Sequence, residues 1–294
     1  MSLFILNKLK KKILIIGADS NIGKVLFRYL KKKNFLVIGT SRRQKSKFIR
    51  LNLLSKLNKW PTINNLGSII CCAAITKIED CKKNLKISKK TNIEGIKNII
   101  KKYKKDEKTQ IIFLSSSHVF NGKKKFIKKN EIRYPQTVYG KQKKICEDII
   151  IKNNGLILRV SKLVESLNAL ISKWSANLNN YKHISPFENL NVSLFSINNL
   201  QKLIFYAIKN DKRGIIHLSA TNEINYLKIG RILADFLDKP QSLVIPTTAS
   251  KKISSSWGNH ATLELSRSIK KIISIDNSEK VLKEFLKKKL SIKK

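Results

Sequence analysis

An α/β fold built on a doubly wound parallel sheet is predicted by three observations in this 294-residue sequence. Apolar, β-branched runs alternate with amphipathic stretches from the N-terminus to about Ser161. The first of these runs passes directly into a glycine-bearing turn and a helical stretch. A later run, over 110–114, ends in consecutive serines. Hydroxyls at the C-terminal end of a parallel strand lie where such sheets bind ligands.

The first run, K-I-L-I-I-G over 12–17, reads as a buried strand. G-A-D-S-N-I-G follows, and then K-V-L-F-R-Y-L-K-K-K as an amphipathic helix. Gly17 permits the turn, and Gly23 lets the helix pack closely on the strand. A helix N-terminus presents free N–H groups to a pyrophosphate. Gly17, Ser20, Asn21, Ile22 and Gly23 therefore form the expected dinucleotide-binding turn. Ser20 holds the middle position of the G-x-x-G-x-x-G pattern, where a small side chain preserves the approach of a phosphate. The strand–turn–helix context outweighs the alternative of an ordinary connecting turn.

The second strand, F-L-V-I-G-T, ends in Ser41-Arg42-Arg43. A carboxylate at this point would suit the ribose 2′-hydroxyl of NAD, whereas arginine suits a 2′-phosphate. No acidic residue occurs between Asp19 and Glu79, and only nine of the 61 basic residues are arginine. Arg42 and Arg43 offer bidentate, permanently charged donors, so the expected cofactor is NADPH (NADP).

Tyr139 and Lys143, in Y-G-K-Q-K, are four residues apart at the start of a helical stretch. That spacing puts both side chains on one face. An ammonium beside a phenol stabilises the phenolate, so Tyr139 is expected to exchange a proton well below the usual ~10. A proton donor for a carbonyl oxygen needs such tuning. Ser116, in I-I-F-L-S-S-S-H-V-F-N-G, is placed to hydrogen-bond the same oxygen. Ser116, Tyr139 and Lys143 are the candidate catalytic set for carbonyl reduction.

Beyond Ser161 the alternation is less regular. The spacing predicts helices over 163–181, 198–210 and 227–237, the last with Ile229, Ile232, Leu233 and Phe236 on one face. A cofactor-binding domain over 1–162 and a smaller, mainly substrate-binding part over 163–294 are expected, with the substrate cleft between them. No internal repeat or low-complexity linker interrupts the chain.

With these elements in place, the chain resembles the extended short-chain dehydrogenases/reductases. It is most similar to the dTDP-4-dehydrorhamnose reductase branch of the sugar-nucleotide enzymes, through most of its length. I-I-C-C-A-A-I-T-K-I-E-D-C resembles the fourth-strand segment of that branch, and T-N-I-E-G-I-K-N-I-I the helix after it. F-L-S-S-S-H-V-F-N-G resembles the hydroxyl-bearing strand, and Y-P-Q-T-V-Y-G-K-Q-K-K-I-C-E the catalytic helix with its lead-in. G-L-I-L-R-V-S, G-I-I-H-L-S-A and T-L-E-L-S-R-S-I-K-K-I resemble later landmarks.

The resemblance implies a Rossmann-type NADP-binding domain interleaved with the smaller part. It assigns Ala73, Ala74 and Thr76 to cofactor binding, and gives Lys143 a second role holding the nicotinamide ribose near Tyr139. It implies a cytoplasmic oxidoreductase of nucleotide-sugar metabolism, reducing a nucleotide-linked 4-keto-6-deoxy sugar as in dTDP-rhamnose biosynthesis. Ser117 and His118 stand where the branch commonly has Asp-Tyr, Cys71 where it often has Asn, and Asn121 where aspartate is frequent. Related dehydratases carry an Asp-Glu pair after the catalytic hydroxyl, which Ser117-His118 cannot supply. A sugar-nucleotide epimerase is the alternative among enzymes, and Arg42 and Arg43 count against it because epimerases typically retain NAD. A non-catalytic NADP-binding regulatory protein is the alternative outside them, opposed by the intact Ser116, Tyr139 and Lys143. A homodimer is left open.

The net charge of +42 suggests nucleic acid or an anionic membrane. Yet the excess is nearly all lysine, with Asn and Ile abundant too, and these three share codons rich in A and T. An AT-rich genome accounts for that composition. Nucleic-acid readers favour arginine forks and exposed aromatics, neither of which is enriched. The expected partner is the nucleotide-sugar substrate, with no nucleic acid and no membrane. Lys123, Lys124, Lys125, Lys128 and Lys129 form either a solvated loop or an attractor of anionic substrates. Cys71 and Cys72 read as small core residues, and with Cys81 and Cys146 they make neither metal spacing nor a disulfide framework. No metal is expected, and four such cysteines suit a reducing cytosol. S-L-F-I-L near the N-terminus is too short for a signal peptide's apolar core, and no run approaches a membrane span.

Overall fold

The computed structural model describes residues 11–251, 253–254 and 258–290, so the S-L-F-I-L segment lies outside it. The strands are β1 (Lys12–Ile16), β2 (Val37–Ser41), β3 (Ile49–Arg50), β4 (Leu66–Cys71), β5 (Gln110–Ser116), β6 (Leu156–Val160), β7 (Lys162–Leu163), β8 (Asn191–Val192), β9 (Leu194–Phe195), β10 (Gly214–Leu218) and β11 (Ile224–Asn225). The longer helices are α1 (Asn21–Lys32), α2 (Ile78–Lys83), α3 (Leu85–Lys89), α4 (Gly95–Tyr103), α5 (Val138–Lys152), α6 (Asn168–Asn179), α7 (Ile197–Lys209), α8 (Tyr226–Phe236), α9 (Arg267–Ile272) and α10 (Ser278–Leu290).

Seven strands form one sheet in the order β10-β6-β5-β4-β1-β2-β3. β1 pairs in parallel with β2 on one side and β4 on the other, aligning Leu14 with Ile38 and with Ile69. The chain thus winds outward in both directions from β1, as predicted for a doubly wound Rossmann-type sheet. The order reverses between β1 and β4, and a crevice opens beyond the strand ends at such a switch point. Ile13, Leu14, Ile15 and Ile16 are 0–2% exposed, so β1 is covered on both faces. Each such side chain contributes roughly 1.5–3 kcal/mol by leaving water. In α1, Leu26 and Leu30 lie one turn apart and are both buried. Gln110, fully buried at the start of β5, accepts from the Ser68 hydroxyl at 3.1 Å. Its amide donates to Lys212 O at 2.8 Å and Ala207 O at 3.1 Å, so no polar atom of that side chain is stranded.

Two compact units make up the chain, each assembled from three segments. The first comprises Met1–Val119, Thr137–Arg159 and Gln201–Ile216, and the second Phe120–Gln136, Val160–Leu200 and His217–Lys294. The second has its own core, where Ile171, Trp174 and Leu178 of α6 meet Ile229 and Leu233 of α8 and Leu282 and Leu286 of α10. Within it, the buried Glu223 carboxylate accepts from the Thr262 hydroxyl at 2.6 Å and the Ala261 N–H at 3.2 Å, and pairs with His260 Nδ1 at 2.5 Å. Lys124 pairs with Glu131 at 2.7 Å, and Lys125 lies 3.6 Å from Glu223. Part of the lysine loop is therefore tied down rather than freely solvated.

Several element boundaries differ from the sequence expectation. β5 runs through Ser116, so that serine ends the strand itself. The helix expected over 163–181 begins only at Asn168, after a 3₁₀ turn over Val164–Leu167. Lys162 and Leu163 instead pair as β7 with Leu194 and Phe195 of β9, which holds them extended. The helices expected over 198–210 and 227–237 appear one residue earlier, as α7 and α8. Among the described residues, no helix is long and apolar enough to cross a membrane, and no group of His, Cys, Asp or Glu could hold a metal ion.

Candidate active site

The turn after β1 is built around two glycines. Gly17 has φ +82°, a left-handed conformation that side chains disfavour, and a Cβ there would lie 2.8 Å from Ala73 Cβ. At Gly23 a Cβ would fall 2.2 Å from Gly17 O. Ser20 caps α1: its hydroxyl accepts from the Gly23 N–H at 3.0 Å. The other first-turn N–H groups, those of Asn21 and Ile22 among them, have no partner within the helix. Thr40 braces the turn from β2, its carbonyl accepting from the Ala18 N–H at 2.8 Å.

A cleft of about 210 Å³ opens beside this turn. Gly17, Ser20, Arg42, Arg43, Ala73 and Ala74 line it, which brings half of the expected cofactor residues to one place. Asn21, Ile22, Gly23, Thr76, Tyr139 and Lys143 are not on its lining. Gly23 is packed against Gly17 O with its N–H taken by Ser20, and Thr76 lies next to Lys77, the N-cap position of α2. The sequence reading missed Asp19, Cys72, Ile75, Thr91 and the segment 51–54, which also line the cleft. Asp19 matters most, because its carboxylate sits 3.4 Å from Arg43 Nε. It comes from the turn after β1 rather than from the end of β2, where the sequence pattern places such a carboxylate.

Ser116, Tyr139 and Lys143 come together where β5 meets α5. Thr137 starts α5, accepting from the Gly140 N–H at 3.0 Å, which sets Tyr139 in the first turn and Lys143 one turn later. All three side chains are buried, and the Ser116 hydroxyl accepts from the His118 N–H at 3.3 Å. The Lys143 ammonium donates to Leu114 O at 2.7 Å and lies 4.4 Å from the centre of the Phe113 ring. It stands 5.6 Å from the centre of the Tyr139 ring. His118, from the short turn after β5, packs edge-on to Tyr139 at 6.0 Å.

The electrostatics differ from the expectation for Tyr139. Burial pushes its hydroxyl well above the usual phenol value, and the neighbouring Ser116 hydroxyl pulls it only part of the way back. Lys143 spends its charge on the end of β5 rather than on the phenol oxygen. Burial in turn holds the Lys143 ammonium below its usual range. Tyr139 thus keeps its proton through neutrality, as a donor must.

Asn92 links cleft and helix. It lies in a π-helical turn over Lys90–Glu94, accepts from the Ile75 N–H at 2.8 Å and donates to Ile75 O at 2.9 Å. Its amide also donates to Gln142 Oε1 at 2.7 Å, beside Lys143. Cys71, Cys81 and Cys146 are buried free thiols, and Cys72 is half-buried on the cleft wall.

Comparison with known proteins places this architecture. Methionine adenosyltransferase 2 subunit beta of Bos taurus is 23% identical over 275 residues, covering 87% of this chain and 81% of that protein. The crystal structure of a dTDP-4-dehydrorhamnose reductase from Bacillus anthracis in complex with NADP superposes with a TM-score of 0.76 at 17% identity, covering 95% of this chain and 100% of the other. MoeE5 in complex with UDP-glucose and NAD superposes at 0.77 with 13% identity, covering 95% and 99%. Residues 11–291 match the family described as the RmlD substrate binding domain. Taken with the doubly wound sheet and the assembled serine, tyrosine and lysine, that match over nearly the whole chain means that this protein belongs to the RmlD substrate binding domain family, a branch of the extended short-chain dehydrogenases/reductases.

Proposed function

We propose that this protein is an NADPH-dependent reductase of a nucleotide-linked 4-keto-6-deoxy sugar. The observation that carries the reading is the buried Ser116–Tyr139–Lys143 set at the end of β5, in the same unit as a cleft with two arginines on its wall. The residues present fit a dinucleotide. The glycine turn lacks side chains where a Cβ would clash, the first turn of α1 offers N–H groups, and Arg42 and Arg43 suit a 2′-phosphate. Ala73 and Ala74 line the same cleft as small residues, and Lys143 and Tyr139 complete the nicotinamide end.

When bound, NADPH supplies the hydride for a carbonyl carbon. Tyr139 gives its proton to the carbonyl oxygen, and Ser116 orients that oxygen through its hydroxyl. Lys143 holds the ribose and keeps positive charge near the developing alkoxide. The second unit, including the lysine-rich loop, is assigned to the sugar nucleotide. The test supplies dTDP-, UDP- and GDP-linked 4-keto-6-deoxy sugars with NADPH, following absorbance loss and identifying the product by NMR. Consumption of NADPH with formation of the 4-hydroxy sugar is expected. Epimerisation of a UDP-sugar without net oxidation would replace the reading with an epimerase.

A second reading is favoured by the similarity to subunit beta of a methionine adenosyltransferase. In it the chain binds NADP and serves as a subunit of another enzyme. Tight NADPH binding with no turnover of any keto-sugar nucleotide would support that reading.

The cofactor preference is separately testable. NADPH should bind more tightly than NADH, and Arg42→Ala/Arg43→Ala should reduce that preference at least ~10-fold, through lost charge-assisted hydrogen bonds. Asp19→Asn should increase it by about two- to fivefold, since the carboxylate competes for the mostly exposed Arg43. Fluorescence titration with both nucleotides measures each change, and equal affinities in the unmodified protein would remove the basis of the NADPH assignment.

A further inference from the structure

Beneath the catalytic face of α5 lies an ion pair that the proposed chemistry does not use. Glu147 and Arg159 are 0% and 2% exposed at their side chains. Arg159 Nε donates to both carboxylate oxygens, at 3.0 and 3.2 Å, and its terminal nitrogen donates to Glu147 Oε2 at 2.8 Å. The Ser115 hydroxyl donates to Glu147 Oε1 at 2.5 Å. One carboxylate on α5 therefore joins that helix to both β5 and β6.

Its position is informative. Glu147 is one turn beyond Lys143 on the same helix face. Ser115 lies between Leu114, whose carbonyl receives the Lys143 ammonium, and Ser116. The same two elements are clamped twice within a single turn, once by each residue. Buried pairs of this kind are poor stabilisers, because desolvation offsets most of the attraction and apolar isosteres often do as well. What a forked guanidinium on a carboxylate does supply is direction: it permits one roll of the helix against the strands.

We propose that the Glu147–Arg159 pair is the positioning element of the active site, fixing the roll of α5 so that Lys143 and Tyr139 stand at the end of β5. Only the turnover arm of its test rests on the reductase reading. Electrostatics point the same way. The groups acting on Lys143 are Cys146 and Glu147 on α5, Cys71 and Cys72 at the end of β4 and Cys81 on α2, itself raised by burial, with Tyr139 beside it. Burial raises the thiols of Cys71 to about 12 and of Cys146 to about 11, and Cys72 higher still, so they are neutral at physiological pH. The Glu147 carboxylate, together with the Leu114 carbonyl, thus opposes the loss of the Lys143 proton.

Two variants test this. Glu147→Leu/Arg159→Met replaces the pair with apolar side chains, and Glu147→Gln keeps the shape while removing the charge. The double variant should melt within a few degrees of the unmodified protein, yet lose at least tenfold in kcat with little change in KM. In Glu147→Gln, the alkaline fall in NADPH affinity, identified as the step absent from Lys143→Met, should move to lower pH. Unchanged kcat in a double variant of native melting temperature, or an unshifted alkaline step in Glu147→Gln, would overturn the proposal. An unmodified protein that binds NADPH but reduces no keto-sugar removes the reductase reading alone, since the binding step still reports on Lys143.

Discussion

Tyr139→Phe is expected to lower turnover by at least ~100-fold, the scale of a lost general acid, while leaving NADPH affinity close to native. The substitution keeps the ring, its edge contact with His118 and its place in the first turn of α5. It removes only the hydroxyl, so the fold should be retained. The pH dependence follows from the sign of the shift. Burial raises the Tyr139 pKa, so the donor stays protonated through neutral pH and turnover should decline only on the alkaline side. Burial lowers that of Lys143, so its charge is lost at a lower pH than the Tyr139 proton. Lys143→Met should therefore impair both binding and turnover, which separates the two roles. Turnover undiminished in the phenylalanine variant, followed by NADPH absorbance, would exclude Tyr139 as the donor.

The sheet was legible because a parallel strand covered on both faces must be apolar along its whole length, as K-I-L-I-I is in β1. The glycine turn was legible for a related reason: only a residue without a side chain fits at Gly17 and Gly23. The spacing of Tyr139 and Lys143 gave their shared face correctly. It could not give the path of the Lys143 chain, whose ammonium is drawn to Leu114 O and the Phe113 ring, so the ionisation of Tyr139 differs from what the spacing predicts. Ser20 read as merely small, although its hydroxyl caps α1. The pairing of Asp19 is not legible, because a charge in a turn reveals no partner and Arg43 is 24 residues away in the chain. The Glu147–Arg159 pair was invisible for the opposite reason. In a lysine-rich helix a glutamate looks solvated, and nothing in the sequence says that this one is fully buried.

Gly23→Ala tests how tightly the turn is built, and two principles disagree about its outcome. Helix propensity favours alanine over glycine by about 1 kcal/mol within a helix, so propensity alone predicts a more stable protein. Packing predicts the reverse. The new Cβ would lie 2.2 Å from Gly17 O and 2.9 Å from both Ala18 Cα and Ser20 Oγ. Two of those three atoms are backbone, so no side-chain rotation relieves the contact. Overpacking of this kind costs roughly 1–3 kcal/mol, and displacing the Ser20 cap adds about 1 kcal/mol. Packing therefore wins, and the melting temperature should fall by several degrees. NADPH affinity should fall at least ~10-fold, because the shifted atoms are those that set the first turn of α1 beside the cleft, and about 1.4 kcal/mol suffices for that factor. Gly95→Ala is the control, since its Cβ would meet first the flexible end of Leu53, at 3.2 Å, and should leave melting near native. A Gly23→Ala protein that melts higher than the unmodified one and binds NADPH normally would mean that the turn can open, and the cofactor assignment would lose its structural basis.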